Sequence, residues 1–443
     1  MTKASTAADR VSRIACSRPF DCPPSRQTTP SVLKIDNSRP ARKPEILVIG
    51  TMAPQRSHSR VSPGAFMQLY ERLKAETPKR ILSLDGGGAR IILSLGFLEE
   101  VERVLRDRLE RPDLRLCDYF DLIGGTSAGA LVASALATGM GMSEAIDYSL
   151  DLAERIFHRK KWKPWEAIYD EAPLRSILQE RFGDMQLSDA AICTGLCIVT
   201  KRADTRSTWP FHNHPDGRFY AANKDIHIRD IVHASAAAPI YFEPVGVAVG
   251  GAEEGAFFDG GVSMANNPSL QLFALATLSG YPFGWATGAE RLLLTSIGTG
   301  NWGHDANVRE VLSGKAWDWA WEVPMMLIDD ANMHNQMMLQ WMSQSPTSRQ
   351  IDAEIGDLSG DQLGPEPMLH YLRYDVSLEQ DELERLGFSM PEKRIEKIRG
   401  LTCASLKDEL LGIGRAAARI QIRTAHFPEV FDKGIQARQV QRE

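Results

Sequence analysis

The chain has 443 residues, of which 43% are hydrophobic and 24% charged, and its formal net charge is −6 at pH 7. Its apolar runs are far shorter than the roughly 20 residues that cross a bilayer, and its six cysteines are sparse and irregularly spaced. These features exclude a transmembrane helix and a disulfide scaffold and favour a reducing compartment. We therefore expect a cytoplasmic globular protein with one large or two modest domains and no nucleic-acid partner.

The first 63 residues differ from the rest in charge and composition. Up to Ser62, eleven Lys and Arg accompany only four Asp and Glu, so this segment is basic and the remainder acidic. It is also rich in Pro, Ser and Thr, a composition that buries too little apolar surface to fold. We predict a disordered tail over 1–63, either dispensable or acting as a basic tether.

Strands that alternate with helices are predicted from about residue 64 onward. Apolar residues at helical spacing predict a helix over 64–74. Two units of strand, glycine turn and helix follow, with strands at 80–84 and 119–123 and helices at 90–105 and 130–137. Later segments predict strands at 191–200, 256–258 and 292–297 and helices at 143–157 and 230–237. This alternation predicts an α/β fold with a central, mostly parallel sheet flanked by helices.

The chain beyond Asn307 is predicted to be helical. Charged amphipathic segments at 377–385 and 406–420 are typical of surface helices. We predict a main domain over 64–345 and a helical C-terminal extension over 346–443 that packs on it. A stretch rich in Trp and Met, from Trp317 to Met342, is interpreted as core, with an acyl-chain groove as the alternative.

Ser127 is a candidate nucleophile because it lies in the pattern GxSxG. In Gly125-Thr126-Ser127-Ala128-Gly129, small neighbours permit a sharp turn between strand and helix that lifts the serine oxygen clear of the backbone. Glycine-rich turns are also ordinary connections between a strand and a helix, so this pentapeptide alone does not establish catalysis.

The glycines after the first predicted strand form a second candidate element. The amides of Gly86, Gly87 and Gly88 could stabilise a developing negative oxygen, as an oxyanion hole does. Arg90 opens the next helix and could fix this loop or hold a phosphate; a solvated helix residue is the alternative.

A serine nucleophile also needs a base, and Asp259 is the candidate. None of the ten histidines lies in a suggestive motif. Asp259 ends an apolar strand and precedes Gly260 and Gly261, which permit close approach of the backbone. An aspartate that only caps a turn remains the alternative.

Taken together, these motifs resemble the patatin-like phospholipases. The resemblance rests on Asp85-Gly86-Gly87-Gly88-Ala89-Arg90, on the Ser127 pentapeptide and on Asp259-Gly260-Gly261, which occur in the order and approximate spacing of that family. It extends over about 80–300 and is absent from the tail. One position departs from the family pattern, because Ile91 stands where the family usually has glycine after the basic residue.

The resemblance implies a function and a set of site residues. It implies hydrolysis of fatty acyl esters of membrane lipids by a dyad of Ser127 and Asp259, with no metal and no cofactor. It further implies an oxyanion hole at Gly86, Gly87 and Gly88, with Arg90, Gly125, Gly129, Gly260 and Gly261 in supporting positions. An acyltransferase with the same dyad, or a catalytically quiet or ligand-gated lipid-binding module, remains open. A dinucleotide-binding loop is disfavoured, because its fingerprint requires glycine at the position of Ile91.

One further segment combines cations with indoles and is a candidate for peripheral membrane contact. Its members are Arg159, Lys160, Lys161, Trp162, Lys163 and Trp165. Such residues suit anionic headgroups and the membrane interface, although a packed surface loop is the alternative. The sequence leaves the oligomeric state undetermined.

Overall fold

The computed structural model describes residues 63–157, 167–250, 253–303 and 308–435. The predicted tail and the candidate membrane segment at 159–165 therefore lie outside the described residues, apart from Pro63. Within those ranges, no helix is both long and apolar enough to cross a membrane.

A mixed and mostly parallel sheet forms the centre of the fold, as predicted. Its strands are β1 (Lys79–Leu84), β2 (Leu122–Thr126), β3 (Gly195–Arg202), β4 (Ser207–His212), β5 (Val245–Val249), β6 (Glu253–Asp259), β7 (Leu292–Ile297), β8 (Ser343–Gln344) and β9 (Leu369–Tyr374). Their order is β5-β6-β3-β2-β1-β7-β9-β8, and β4 pairs with β3 outside this path. Strands β3, β2, β1, β7, β9 and β8 run parallel, whereas β4, β5 and β6 pair antiparallel with their neighbours.

Helices cover both faces of the sheet. They are α1 (Pro63–Lys74), α2 (Ile91–Arg108), α3 (Leu116–Tyr119), α4 (Ala128–Ala137), α5 (Met142–Ile156), α6 (Ala172–Phe182), α7 (Tyr220–Asn223), α8 (Ile228–Ala236), α9 (Ser269–Thr277), α10 (Val308–Ser313), α11 (Ala316–Met342), α12 (Gln380–Arg385), α13 (Glu392–Arg399) and α14 (Lys407–Gln421). Alternate residues of β1 enter two separate cores, with Leu82 and Leu84 on the side of α2, α4 and α14, and Ile81 on the side of α1 and α9. This alternation follows from the two-residue period of a strand.

The strand expected at 119–123 begins three residues later. Leu116–Tyr119 is a short helix, closed by reciprocal hydrogen bonds between Arg115 and Asp118. Asp121 follows this helix, and its carboxylate forms ion pairs with the guanidinium groups of Arg72 and Arg80. The strand itself starts at Leu122.

The expectation of a purely helical segment beyond 345 was wrong in one respect. Residues Leu369–Tyr374 form β9, which lies beside β7 with all six residues buried. A short, fully buried strand shows no alternation of polar and apolar residues, so its sequence pattern did not separate it from a helix. Among the later helices, α14 packs against α2, and Gly96 and Gly414 permit the close crossing of the two backbones.

Candidate active site

Ser127 lies on a strained turn between β2 and α4. Its backbone has φ 58° and ψ −129°, a region that residues with a side chain rarely adopt. The two glycines of the motif are required by close packing. A Cβ on Gly129 would lie 2.5 Å from the carbonyl oxygen of Leu84, and one on Gly125 would overlap the carbonyl oxygen of Gly129. The sequence pattern therefore reflects how tightly the turn is packed against the end of β1.

Asp259 reaches Ser127 from an antiparallel strand. Strand β6 pairs with β5 on one side and with the last three residues of β3 on the other, where Asp259 lies opposite Thr200. Strand β2, which pairs with β3 on its other side, ends at Thr126. The Asp259 carboxylate accepts a hydrogen bond of 2.7 Å from the Gly261 amide, and the Ser127 side chain lies close enough to lower the pKa of Asp259. Asp259 thus caps its own turn and also lies next to the serine, so the two interpretations of this residue are compatible.

Burial changes the acidity of Asp259. The side chain is almost fully buried, and this burial raises the pKa of Asp259 to about 6, against the opposing effects of Ser127 and of the hydrogen bond from Gly261. A carboxylate with a higher pKa is a stronger base. Next to it, a Cβ on Gly260 would overlap the carbonyl oxygen of Val199, so this position also requires glycine.

The glycine loop after β1 offers two amides rather than three. The Gly86 amide donates a 2.9 Å hydrogen bond to the carbonyl oxygen of Asn266, so it is not free to bind a substrate oxygen. No acceptor within the described ranges is bonded to the amides of Gly87 and Gly88. Gly88 has φ +57°, in the region that favours glycine. The candidate oxyanion hole is therefore corrected to Gly87 and Gly88, with Gly86 as an anchor of the loop.

The Arg90 side chain joins the start of α2 to two distant segments of the chain instead of facing solvent. It is buried, and its guanidinium donates to the carbonyl oxygens of Thr299, at 3.2 Å, and Arg399. The guanidinium also lies 4.9 Å from the ring of Trp302. Burial lowers the pKa of Arg90. Ile91 beside it belongs to the core and lines the cavity described below, so the departure from the family pattern adds apolar surface at the site.

A buried ion-pair network below the loop was not identified from the sequence. Arg373, on β9, donates to Asp85 at 2.7 Å, to Asp375 at 3.0 Å and to the Ser296 hydroxyl at 2.7 Å. Burial raises the pKa of Asp85 to about 6, although Arg373 opposes this effect. A charged residue within the otherwise apolar and aromatic run LHYLRY was the available signal.

These groups line a single cavity of about 690 Å³. Ser127, Asp259, Gly87 and Gly88 form its polar part. Its apolar walls come from α4, α5, α6, α11 and the turn after α8, and they include Leu131, Leu152, Ile156, Leu174, Phe242, Met325, Ile328 and Met333. A long apolar chain beside a few convergent polar groups is what such a cavity can hold.

The interpretation of the Trp- and Met-rich stretch as core was wrong for part of α11. Met325, Met326 and Met333 are exposed, whereas Met342 is buried. Met325 and Met333 also line the cavity, which is the groove alternative. Composition alone did not distinguish a buried core from the wall of a groove, because methionine is common in both environments.

Comparisons with known proteins show similarity over part of the chain. A model of the family "Patatin-like phospholipase" matches residues 82–273. A "cGAMP-activated phospholipase" of Vibrio cholerae is 34% identical over 222 residues, covering 45% of this chain and 58% of that protein. "Patatin group J-1" of Solanum tuberosum is 29% identical over 236 residues, covering 50% of this chain and 60% of that protein.

The matches cover part of each relative, since the chain spans about three fifths of the length of these two proteins. A further "cGAMP-activated phospholipase", from Escherichia coli, is 32% identical over 198 residues, covering 43% of this chain and 53% of that protein. The matched residues include both glycine turns and Asp259. Residues 82–273 are therefore similar to the patatin-like phospholipase family.

Proposed function

We propose that the protein is a lipid acyl hydrolase that cleaves fatty acyl esters of membrane lipids through Ser127 and Asp259. The observation that carries this proposal is that both side chains lie at the polar end of one apolar cavity, where Ser127 is close enough to lower the pKa of Asp259. The family supports acyl hydrolysis in general. The dyad and the membrane-lipid substrate are inferred from the site.

The mechanism follows from the protonation states of the dyad. Asp259 accepts the proton of the Ser127 hydroxyl while the serine oxygen attacks the ester carbonyl. The negative oxygen of the tetrahedral intermediate is stabilised by the amides of Gly87 and Gly88. As the intermediate collapses, the bond to the alcohol breaks and Asp259 returns the proton to that leaving oxygen. Water, deprotonated by Asp259, then releases the fatty acid and restores Ser127.

Two features of the site support this sequence of steps. The raised pKa of Asp259 makes it a stronger base than an exposed aspartate. Arg373 neutralises Asp85, which would otherwise place a second negative charge behind the glycine loop. Arg373 and Asp85 therefore act on the electrostatics of the site and not on the substrate directly.

The test compares purified wild-type protein with Ser127→Ala and Asp259→Asn on p-nitrophenyl butyrate and on mixed phospholipid vesicles. Ser134→Ala is the matched control, because Ser134 lies on α4 and donates to the carbonyl oxygen of Ala130 within its own helix. We expect both dyad variants to lose ester hydrolysis by about 10³-fold or more, with the control unchanged. Full activity in either dyad variant would refute the proposal.

Activation by a small ligand is tested in the same assay. Two relatives are described as cGAMP-activated, so each measurement is repeated with cGAMP present. Hydrolysis that requires cGAMP and Ser127 would identify a ligand-gated enzyme. Transfer of the acyl group to an added alcohol in place of water would identify an acyltransferase.

A further inference from the structure

An apolar surface lies next to the cavity on the solvent side of α11. On this helix Val323, Met326, Leu327 and Met333 are exposed, and their spacing of three, four and seven residues places them on one face. Val262 and Met264, from the turn after β6, are also exposed, and the carbonyl oxygen of Met264 accepts a hydrogen bond from Asn335 of α11. We name these six residues the docking face: Val262, Met264, Val323, Met326, Leu327 and Met333.

The docking face is continuous with the cavity. Val262 and Met333 are exposed and at the same time line the cavity, and the neighbouring face of α11 contributes Met325 and Ile328 to its wall. An apolar path therefore runs from the outer surface of α11 to Ser127. Contiguous exposed apolar residues mark interaction sites in proteins, and this surface opens into the site where an acyl chain must arrive.

The charges at the docking face indicate the kind of surface that it fits. Glu322 directly precedes Val323, and Asp330 lies on the same helix face, three residues after Leu327 and three before Met333; both are exposed. Acidic side chains at this position are repelled by an anionic leaflet but not by a zwitterionic one. The apolar residues insert into acyl chains in either case.

Asparagines hold α11 in a fixed position relative to the glycine loop. Asn335 donates to the carbonyl oxygens of Met264 and Asn267, and the Asn332 side chain accepts from the Asn267 amide at 3.1 Å. The carbonyl oxygen of the preceding residue, Asn266, accepts a hydrogen bond from the Gly86 amide. The docking face is thus connected by hydrogen bonds to the loop that carries Gly87 and Gly88.

We propose that the docking face binds a zwitterionic lipid–water surface and turns the cavity entrance toward it. The lipid would then leave the surface along α11 and reach Ser127 without crossing water. This inference rests on the proposed function for the nature of the ligand, but its test does not depend on catalysis.

Binding is measured with the full chain carrying Ser127→Ala, so that vesicles are not hydrolysed, by flotation with phosphatidylcholine vesicles. The docking variant adds Met326→Gln and Leu327→Gln, neither of which lines the cavity. The matched control adds Leu278→Gln. Leu278 is 55% exposed, similar to Leu327 at 61%. It directly follows the C-terminal end of α9, about 13 Å from the N-terminal end of that helix, which is the end near Asn267.

We expect the docking variant to bind vesicles about tenfold or more weakly, because two apolar side chains no longer leave water, and the control to bind like its parent. In the chain with Ser127 intact, the same substitutions should leave hydrolysis of p-nitrophenyl butyrate within about twofold of wild type, which also confirms that the variants fold.

Several outcomes would overturn the proposal: no binding by the parent, binding only when phosphatidylglycerol is included, undiminished binding by the docking variant, or equal loss in the control. A failure of the proposed function appears separately, as absent Ser127-dependent hydrolysis of the soluble ester.

Discussion

In the proposed mechanism, Asp259 sets the pH range in which the site is active. As a base it must be ionised, and its pKa is raised to about 6. Activity should therefore be constant above about pH 7 and fall about tenfold per pH unit below about pH 6. The measurement is kcat/KM for a soluble ester between pH 4.5 and 8.5. An inflection near pH 4, where an exposed aspartate titrates, would contradict the assignment of Asp259 as a buried base.

The same burial means that ionised Asp259 lowers the stability of the folded state. Its pKa is higher in the folded chain than the ordinary value of 3.8, so the folded state binds the proton more tightly than the unfolded state. The favourable contribution of Asp259 to the free energy of unfolding is therefore present at low pH and is lost as the pH rises through about 6. Asp259→Asn, which keeps the shape and removes the charge, should raise the free energy of unfolding at pH 8 by about 1–3 kcal/mol.

This gain should shrink below pH 6 and vanish below about pH 3, where Asp259 is protonated in both the folded and the unfolded state. Urea unfolding of wild type and Asp259→Asn at pH 8, 6 and 4.5 measures it. A constant difference at all three pH values would show that ionisation of Asp259 is not its cause.

At the scale of elements, Asn335 joins α11 to the turn at 264–267. Its amide donates to two carbonyl oxygens, those of Met264 and Asn267, and the side chain is buried. Asn335→Ala leaves both acceptors without this donor, and we expect a loss of about 1–3 kcal/mol of unfolding free energy. Because Asn266 lies in the same turn and anchors Gly86, kcat should fall with little change in KM.

Gln336→Ala is the control for this variant. Gln336 follows Asn335 on α11 but bonds the side chain of Gln340 within the same helix. Thermal unfolding and steady-state kinetics on a soluble ester distinguish the two variants. An Asn335→Ala protein with lowered stability and unchanged kcat would limit Asn335 to a structural role.

At the scale of the whole molecule, short sequence patterns predicted those parts of the site that are formed by consecutive residues. The turns at Gly86 and Ser127 each join a strand to the next helix, so their glycines and small residues are visible in a few consecutive positions. The long-range parts were missed. The bond from Gly86 to Asn266 and the pairing of Arg373 with Asp85 join residues 180 or more positions apart, and no local pattern encodes them.

The antiparallel course of β6 was missed for a related reason. Asp259 was expected at a strand end, and it is there, but the direction of a strand depends on which neighbour it pairs with. The exposed methionines of α11 were missed for a similar reason. A hydrophobic stretch indicates that its side chains favour apolar surroundings, but it does not indicate whether the protein core or another molecule provides those surroundings.

The position of β9 predicts how the chain depends on its last hundred residues. If the proposed boundary at 345 separated an independent domain, a chain ending at Ser345 would fold. That chain lacks β9, which pairs with β7, and α14, which covers α2. It also lacks Arg373, so Asp85 would remain buried beside the glycine loop without its cation, a change that typically costs about 3–5 kcal/mol.

We therefore expect the chain ending at Ser345 to show no cooperative thermal transition by circular dichroism and no ester hydrolysis. A chain ending at Ile435 is the control, because it retains every strand and helix described above, and it should melt like the full-length protein. Cooperative unfolding of the shorter chain would show that β1 and β7 form a stable sheet edge without β9. In that case the C-terminal segment would contribute to the site rather than to the fold, and adding residues 346–443 as a separate chain should restore hydrolysis.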